Sequence, residues 1–98
     1  LRPSTAAPGF LMTRPFLPQG RKLTVNTRVM GALRCELRTD NNKPIQNYTF
    51  DDCDTITTSG LNMPVQWRGK DLPAGEELVR VVFRIEDSEL FAFDLLSP

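Results

Sequence analysis

The 98-residue chain contains no histidine. The commonest general base and the commonest zinc ligand are therefore both missing. Cysteine is scarce as well. Cys35 and Cys53 are the only two, and neither belongs to a C-x-x-C pair, which argues against a zinc site made by this chain. No excess of either charge is present: 12 basic and 12 acidic side chains cancel. A nucleic-acid partner is thus not expected, because such binders carry a basic surplus that pairs with phosphate. No apolar run approaches the roughly 18 residues needed to cross a bilayer, so no membrane span is expected. A charged start followed by an apolar stretch is also lacking. The chain therefore reads as a domain excised from a longer protein, with any export signal upstream.

What is there suits one domain of ordinary size. A hydrophobic fraction of 40% is enough for a single core without obligatory disulfides. Residues 1–9, rich in proline and small polar side chains, read as a linker or upstream connection, leaving 10–98 as the folded unit. Residues 10–17 suggest an edge strand, since Pro15 cannot donate to a central ladder. Residues 22–29 alternate in polarity, Gly31 breaks the run, and 33–39 alternate more cleanly. There Leu33, Cys35 and Leu37 face one way and Arg34, Glu36 and Arg38 the other, as in a half-buried antiparallel strand. Residues 40–44, Asp-Asn-Asn-Lys-Pro, suit a hairpin connection.

A short extended segment over 45–50 leads into the acidic stretch. Residues 55–62 suggest a loop or weak strand, 63–67 an extended run around Pro64, and 68–71 a turn. The strongest strand signal lies at 78–85, where β-branched side chains abound. Val79, Val81, Phe83 and Ile85 are expected inside, with Arg80 and Arg84 outside. Residues 90–96 can place Phe91, Phe93 and Leu95 on one face; a short helix over 87–96 is the competing reading. Seven to eight short strands at intervals of about ten residues predict an all-β fold, an antiparallel sandwich of jelly-roll or Ig-like type.

Four groups of residues are candidates for function. Asp51, Asp52 and Asp54 crowd one short loop and could offer oxygen ligands to a structural calcium, which takes about six to eight of them. The EF-hand spacing is absent, and the same acids could instead accept backbone N–H bonds and cap a turn, with Cys53 directed inward. Glycoside hydrolysis needs two carboxylates about 5 to 9.5 Å apart across a scissile bond. Three on one loop suit that badly, so no catalytic residue is assigned. Trp67, with Tyr48, could stack on a sugar ring, or Trp67 could be a core residue beside Val65. Arg80, Val82 and Arg84 form an outward stripe that is either a solvated face or a contact with a neighbouring domain, given the apolar Val82 between two arginines. The sequon Asn47-Tyr48-Thr49 has meaning only in a eukaryotic secretory setting and is read as chance. Cys35 and Cys53 could close a disulfide worth about 3 kcal/mol, or Cys35 could be a small apolar core residue.

The order of features from Arg14 onward carries a family likeness. "RPF" (14–16) is followed by "KLTVNTRVMGALRCELRTDNNKPIQNYTFDDCDTI" (22–56), "VQWRGKDL" (65–72) and "VRVVFRIEDSELFAF" (79–93). This resembles the C-terminal β-sandwich domain appended to five-bladed β-propeller proteins of glycoside-hydrolase type, related to the family-32, family-43 and sialidase-like enzymes. Its most specific pieces are Asp52-Cys53, Trp67 with Gly69, Asp71 and Leu72, and the block from Phe83 to Phe93. Ser88 stands where the family pattern has Ala, and Phe91-Ala92 where it has Tyr-Ser. None of these pieces is an enzymatic motif. The resemblance implies a non-catalytic accessory domain packed on a catalytic propeller of the same parent protein, with sugar binding in some members. It also implies an exported or extracellular setting.

Overall fold

The computed structural model describes residues 9–97, so the expected connection at 1–9 lies outside the described residues except for Gly9, which opens a strand instead. The chain is all-β and antiparallel. Strands β1 (Gly9–Met12), β2 (Lys22–Thr39), β3 (Gly60–Val65) and β4 (Val79–Leu96) form one sheet in the order β1-β4-β2-β3. The expectation of seven to eight short strands is thereby corrected: the described residues hold four, two of them 18 residues long. The helix alternative for the C-terminal segment is replaced by strand.

Two bulges account for the difference. At the first, Val29 pairs with Ser88 and Ala32 with Glu86, so Met30 and Gly31 oppose Asp87 alone. Gly31 thus bends a strand without ending it. A β-carbon on Gly31 would run into the Glu86 carbonyl, which explains a glycine there. Asp87 takes a left-handed backbone, φ 46°. At the second bulge Asn26 pairs with Ala92 and Thr27 with Leu90, leaving Phe91 unpaired on β4.

Each bulge shifts the alternation of β4 by one residue. Its inward set therefore runs Val79, Val81, Phe83, Ile85, then Ser88 and Leu90, then Phe93 and Leu95, as their β2 partners fix. The expected grouping of Phe91 with Phe93 and Leu95 is corrected accordingly. Phe91 is extruded and 65% exposed, whereas the Phe93 ring packs 5.4 Å from that of Phe83. Ser88 is buried, and its hydroxyl donates to the Glu86 carbonyl at 2.8 Å.

The core lies on the face that bears Leu23, Val25, Leu33, Cys35 and Leu37 of β2, as their alternation predicts, together with Val81 and Phe83. Loop residues cover this face: Cys53, Ile56, Trp67 and Leu72 are all buried in the same cluster. β1 is an edge strand, as expected, but it is shorter than the sequence suggests and does not reach Pro15. It closes at Met12; the Thr13 amide still donates to the Val81 carbonyl at 3.0 Å, and Phe16 and Val79 exchange backbone bonds at 2.9 Å. Replacing Gly31 by alanine is expected to lower stability in urea by about 1–3 kcal/mol. Gly75→Ala is the control, since its β-carbon would meet nothing within 4 Å. Equal stability of the two variants would remove the close approach of Glu86 as the reason for Gly31.

Candidate functional site

The acidic loop lies along the edge of β2 that β4 does not cover. β3 pairs with β2 only from Leu23 to Thr27, leaving the rest of that edge with free donors. Loop groups satisfy them one after another. The Val29 amide donates to Ser59 Oγ at 2.8 Å, Leu33 to the Ile56 carbonyl at 2.9 Å, Leu37 to Tyr48 at 2.8 Å and Thr39 to Lys43 at 2.8 Å. Between Leu33 and Leu37, the Cys35 amide donates to Cys53 Sγ at 3.3 Å. A sulfur here takes the place of a carbonyl in the series.

The geometry that delivers this sulfur comes from the acids. Thr49 to Cys53 form a single tight turn, in which the amides of Asp52 and Cys53 both donate to the Thr49 carbonyl at 3.1 Å. Asp52 reaches back as in a capping box: its Oδ2 accepts the Thr49 amide at 3.2 Å and the Thr49 hydroxyl at 2.9 Å. Asp52 Oδ1 meets Arg68 at 3.0 Å. The hydrogen bonds from Thr49, with a smaller contribution from Arg68, hold the Asp52 carboxyl below its ordinary range. Asp54 Oδ2 accepts the Gly69 amide at 2.9 Å. Asp51 is exposed.

Asp52 and Asp54 are therefore spent on two different turns. Among the described residues no three acidic, histidine or cysteine side chains gather into a group that could hold a metal ion. The calcium reading of Asp51, Asp52 and Asp54 does not fit this geometry. The three fall on one loop but do not converge. The alternative, carboxylates accepting backbone and hydroxyl donors with Cys53 inward, matches the observed bonds at Asp52 and Asp54 and the burial of Cys53.

Trp67 is 1% exposed. Its Nε1 donates to the Cys35 carbonyl at 3.0 Å, which satisfies the one polar group of a buried indole. Tyr48 is half-buried and meets the Trp67 ring edge-to-face at 5.6 Å. Trp67 thus offers no face for a sugar, and the stacking assignment of Trp67 with Tyr48 is replaced by a core contact between the two rings. The turn after Trp67 is a two-residue hairpin: Trp67 and Lys70 exchange backbone bonds at 2.9 and 3.0 Å. Arg68 and Gly69 between them both have positive φ, 53° and 78°. That is the conformation of a type I′ turn, and it aims the Gly69 amide at Asp54. Asp71 accepts from Gln66 Nε2 at 3.2 Å.

The third group lies on the opposite face of the sheet. Val82 is 3% exposed although it points away from the core cluster. With Phe10, Met12 and Arg38 it lines a shallow groove of about 370 Å³. Glu36, buried on the same face, accepts from Arg38 Nε at 2.8 Å. Arg80 comes no nearer than 3.8 Å to Asp40, and its buried Nε has no hydrogen-bond acceptor among the described residues. Arg84 Nε sits 3.1 Å from Glu86 Oε1, an ion pair without an aligned N–H···O bond. The sequence singled out this stripe. It gave no sign that Phe10 and Met12 of β1 would join it, because their placement depends on the register Phe10–Arg84 and Met12–Val82.

The depressed Asp52 carboxyl ties stability to pH in one direction. Because its folded value lies below the unfolded one of about 3.9, Asp52 contributes stability above that value and loses it as pH falls through the folded value. Asp52→Asn should therefore unfold at a lower temperature than the parent at pH 7. That gap should shrink steadily below about pH 4. Parallel melting curves for the two proteins from pH 7 to strongly acidic pH check it, and a constant gap refutes the assignment. Compared with known proteins, the chain matches no family model, no curated protein and no solved structure.

Proposed function

We propose that this chain is a non-catalytic accessory domain that packs against another domain of its parent protein, a catalytic propeller in the resemblance drawn from the sequence. The observation that carries the reading is the face around β1. Phe10 and Met12, which share a face with Arg84 and Val82, are 61% and 46% exposed. Next to them lie Val82 and two arginines, each with a buried Nε that lacks a hydrogen-bond acceptor. An apolar patch edged by arginines with spare donors is the composition of a contact surface, since a free edge strand is ordinarily guarded by charge. Arg80, Val82 and Arg84 belong to that contact. Carboxylates or carbonyls of the partner would meet the Arg80 side chain, which is 27% exposed.

The sandwich architecture is part of the same proposal. The four-stranded sheet is one layer, and the loops carrying Cys53, Ile56, Trp67 and Leu72 take the position of the second. A calcium ion has no role in this reading, and neither has a sugar on Trp67, which is buried. Hydroxyl-radical footprinting of the parent protein and of residues 1–98 alone tests the contact. Phe10 and Met12 should be protected several-fold in the parent, while Met30, 63% exposed at the bulge, labels equally in both. Equal labelling of Phe10 and Met12 in the two proteins would sink the proposal.

A further inference from the structure

The two thiols occupy an arrangement that the accessory role does not use. Cys35 is fully buried in the second half of β2, and Cys53 is 7% exposed on the loop beside it. Both are free. The Cys35 amide reaches Cys53 Sγ at 3.3 Å, which puts that sulfur within about one side-chain length of the Cys35 sulfur. Cys53 Sγ also lies 3.6 Å from the Asp54 carbonyl. An edge position in the ladder would ordinarily be filled by a backbone carbonyl, so a sulfur there is a chemical choice as well as a packing one.

We propose that Cys35 and Cys53 are a site of oxidative modification. A small disulfide of the oxidised-glutathione class converts them into an internal cross-link that fastens the loop to β2. Cys53 attacks first. It is the more accessible thiol, and hydrogen bonds from the Cys35 side chain and amide lower its pKa, whereas burial pushes the Cys35 thiol well up. The Cys53 thiolate attacks one sulfur of the reagent, the reagent's S–S bond breaks, and one small thiolate leaves. Cys35 then gives up its proton and attacks Cys53 Sγ. The mixed disulfide breaks and a second small thiolate leaves. Two protein thiols and one small disulfide become one protein disulfide and two small thiols. Two electrons pass from the protein to the reagent. With so little of Cys53 exposed, the first step needs the loop to open locally, so oxidation is slow under native conditions.

The experiment treats folded protein with oxidised glutathione, then denatures and alkylates it for intact-mass analysis. The unsubstituted chain should become lighter by two hydrogens and accept no alkylating group. Its thermal midpoint should rise by on the order of 10 °C, returning on reduction. Cys35→Ala should stop at Cys53 carrying one glutathionyl group, since the resolving thiol is gone. Cys53→Ala should stay unmodified while folded, because Cys35 is inaccessible. If the oxidised unsubstituted chain still alkylates at both cysteines, or cross-links only between molecules, the pair is not a site. If folded Cys53→Ala takes up glutathione at Cys35 as fast as Cys35→Ala does at Cys53, the order of attack is wrong. The unsubstituted chain alone gives the main result, so a variant that fails to fold leaves the test intact.

Discussion

The donors along the outer edge of β2 are the constraint on which the remaining structure depends. An 18-residue strand with β4 on one side has a second side to satisfy, and β3 reaches only its first few residues. Each unmet buried amide would cost roughly 1–3 kcal/mol. Five amides in alternate register, from Val29 to Thr39, find acceptors in the loop between β2 and β3. Following that edge, the loop is drawn across the inner face. There Cys53 and Ile56 enter the core, and Trp67 enters from the hairpin after β3. The hydrophobic cover over the sheet and the hydrogen bonds along its edge thus come from one path of the chain. Neither could be removed without exposing the other.

Cys35 is the point where these requirements meet. Its side chain is in the core, its amide ends on Cys53 Sγ, and its carbonyl accepts Trp67 Nε1. The peptide groups of an interior strand residue are usually paired with backbone. Here one donor and one acceptor are paired with side chains, which fixes the positions of a loop and a ring relative to β2. The Tyr48 ring then closes on Trp67 from the loop side.

Alternation made much of this legible. Leu33, Cys35 and Leu37 inward with Arg34, Glu36 and Arg38 outward is a period of two with no exceptions, and the inward set is wholly buried. Val79, Val81 and Phe83 are buried as expected, but Ile85 is half-buried and Val82 is buried on the outer face. The strand count was not legible, for a physical reason. Gly31 and Asp87 have the composition of turns, and a bulge uses the same residues for the same backbone freedom. Whether a glycine ends a strand or bends it depends on the partner strand, and the Glu86 carbonyl that decides the matter is over 50 positions away in sequence. The same applies to Phe91. Its apparent face followed from its spacing to Phe93, but the bulge opposite Asn26 and Thr27 moved it to the other side. In the acidic loop, residue types alone left calcium and capping as alternatives. Only the distances to Thr49 and Gly69 separate them.

Those distances also connect the acidic loop to the core. Asp52 holds the Thr49 turn closed, and that turn brings the amide of Cys53 to the Thr49 carbonyl. Asp54, one residue on, fixes the hairpin whose first residue is Trp67 through the Gly69 amide. The backbone itself links the two, since Cys53 and Trp67 are bridge partners and the Asp54 amide donates to the Gln66 carbonyl at 2.8 Å. The carboxylates therefore act as clamps on either side of the sulfur, one on the turn before it and one on the hairpin across from it. Their charge stays near solvent while their acceptor oxygens organise buried groups. Three acids around a cysteine look like a reactive centre in sequence. In the fold, two of them determine where the cysteine goes, and any chemistry at this loop belongs to the sulfur they position.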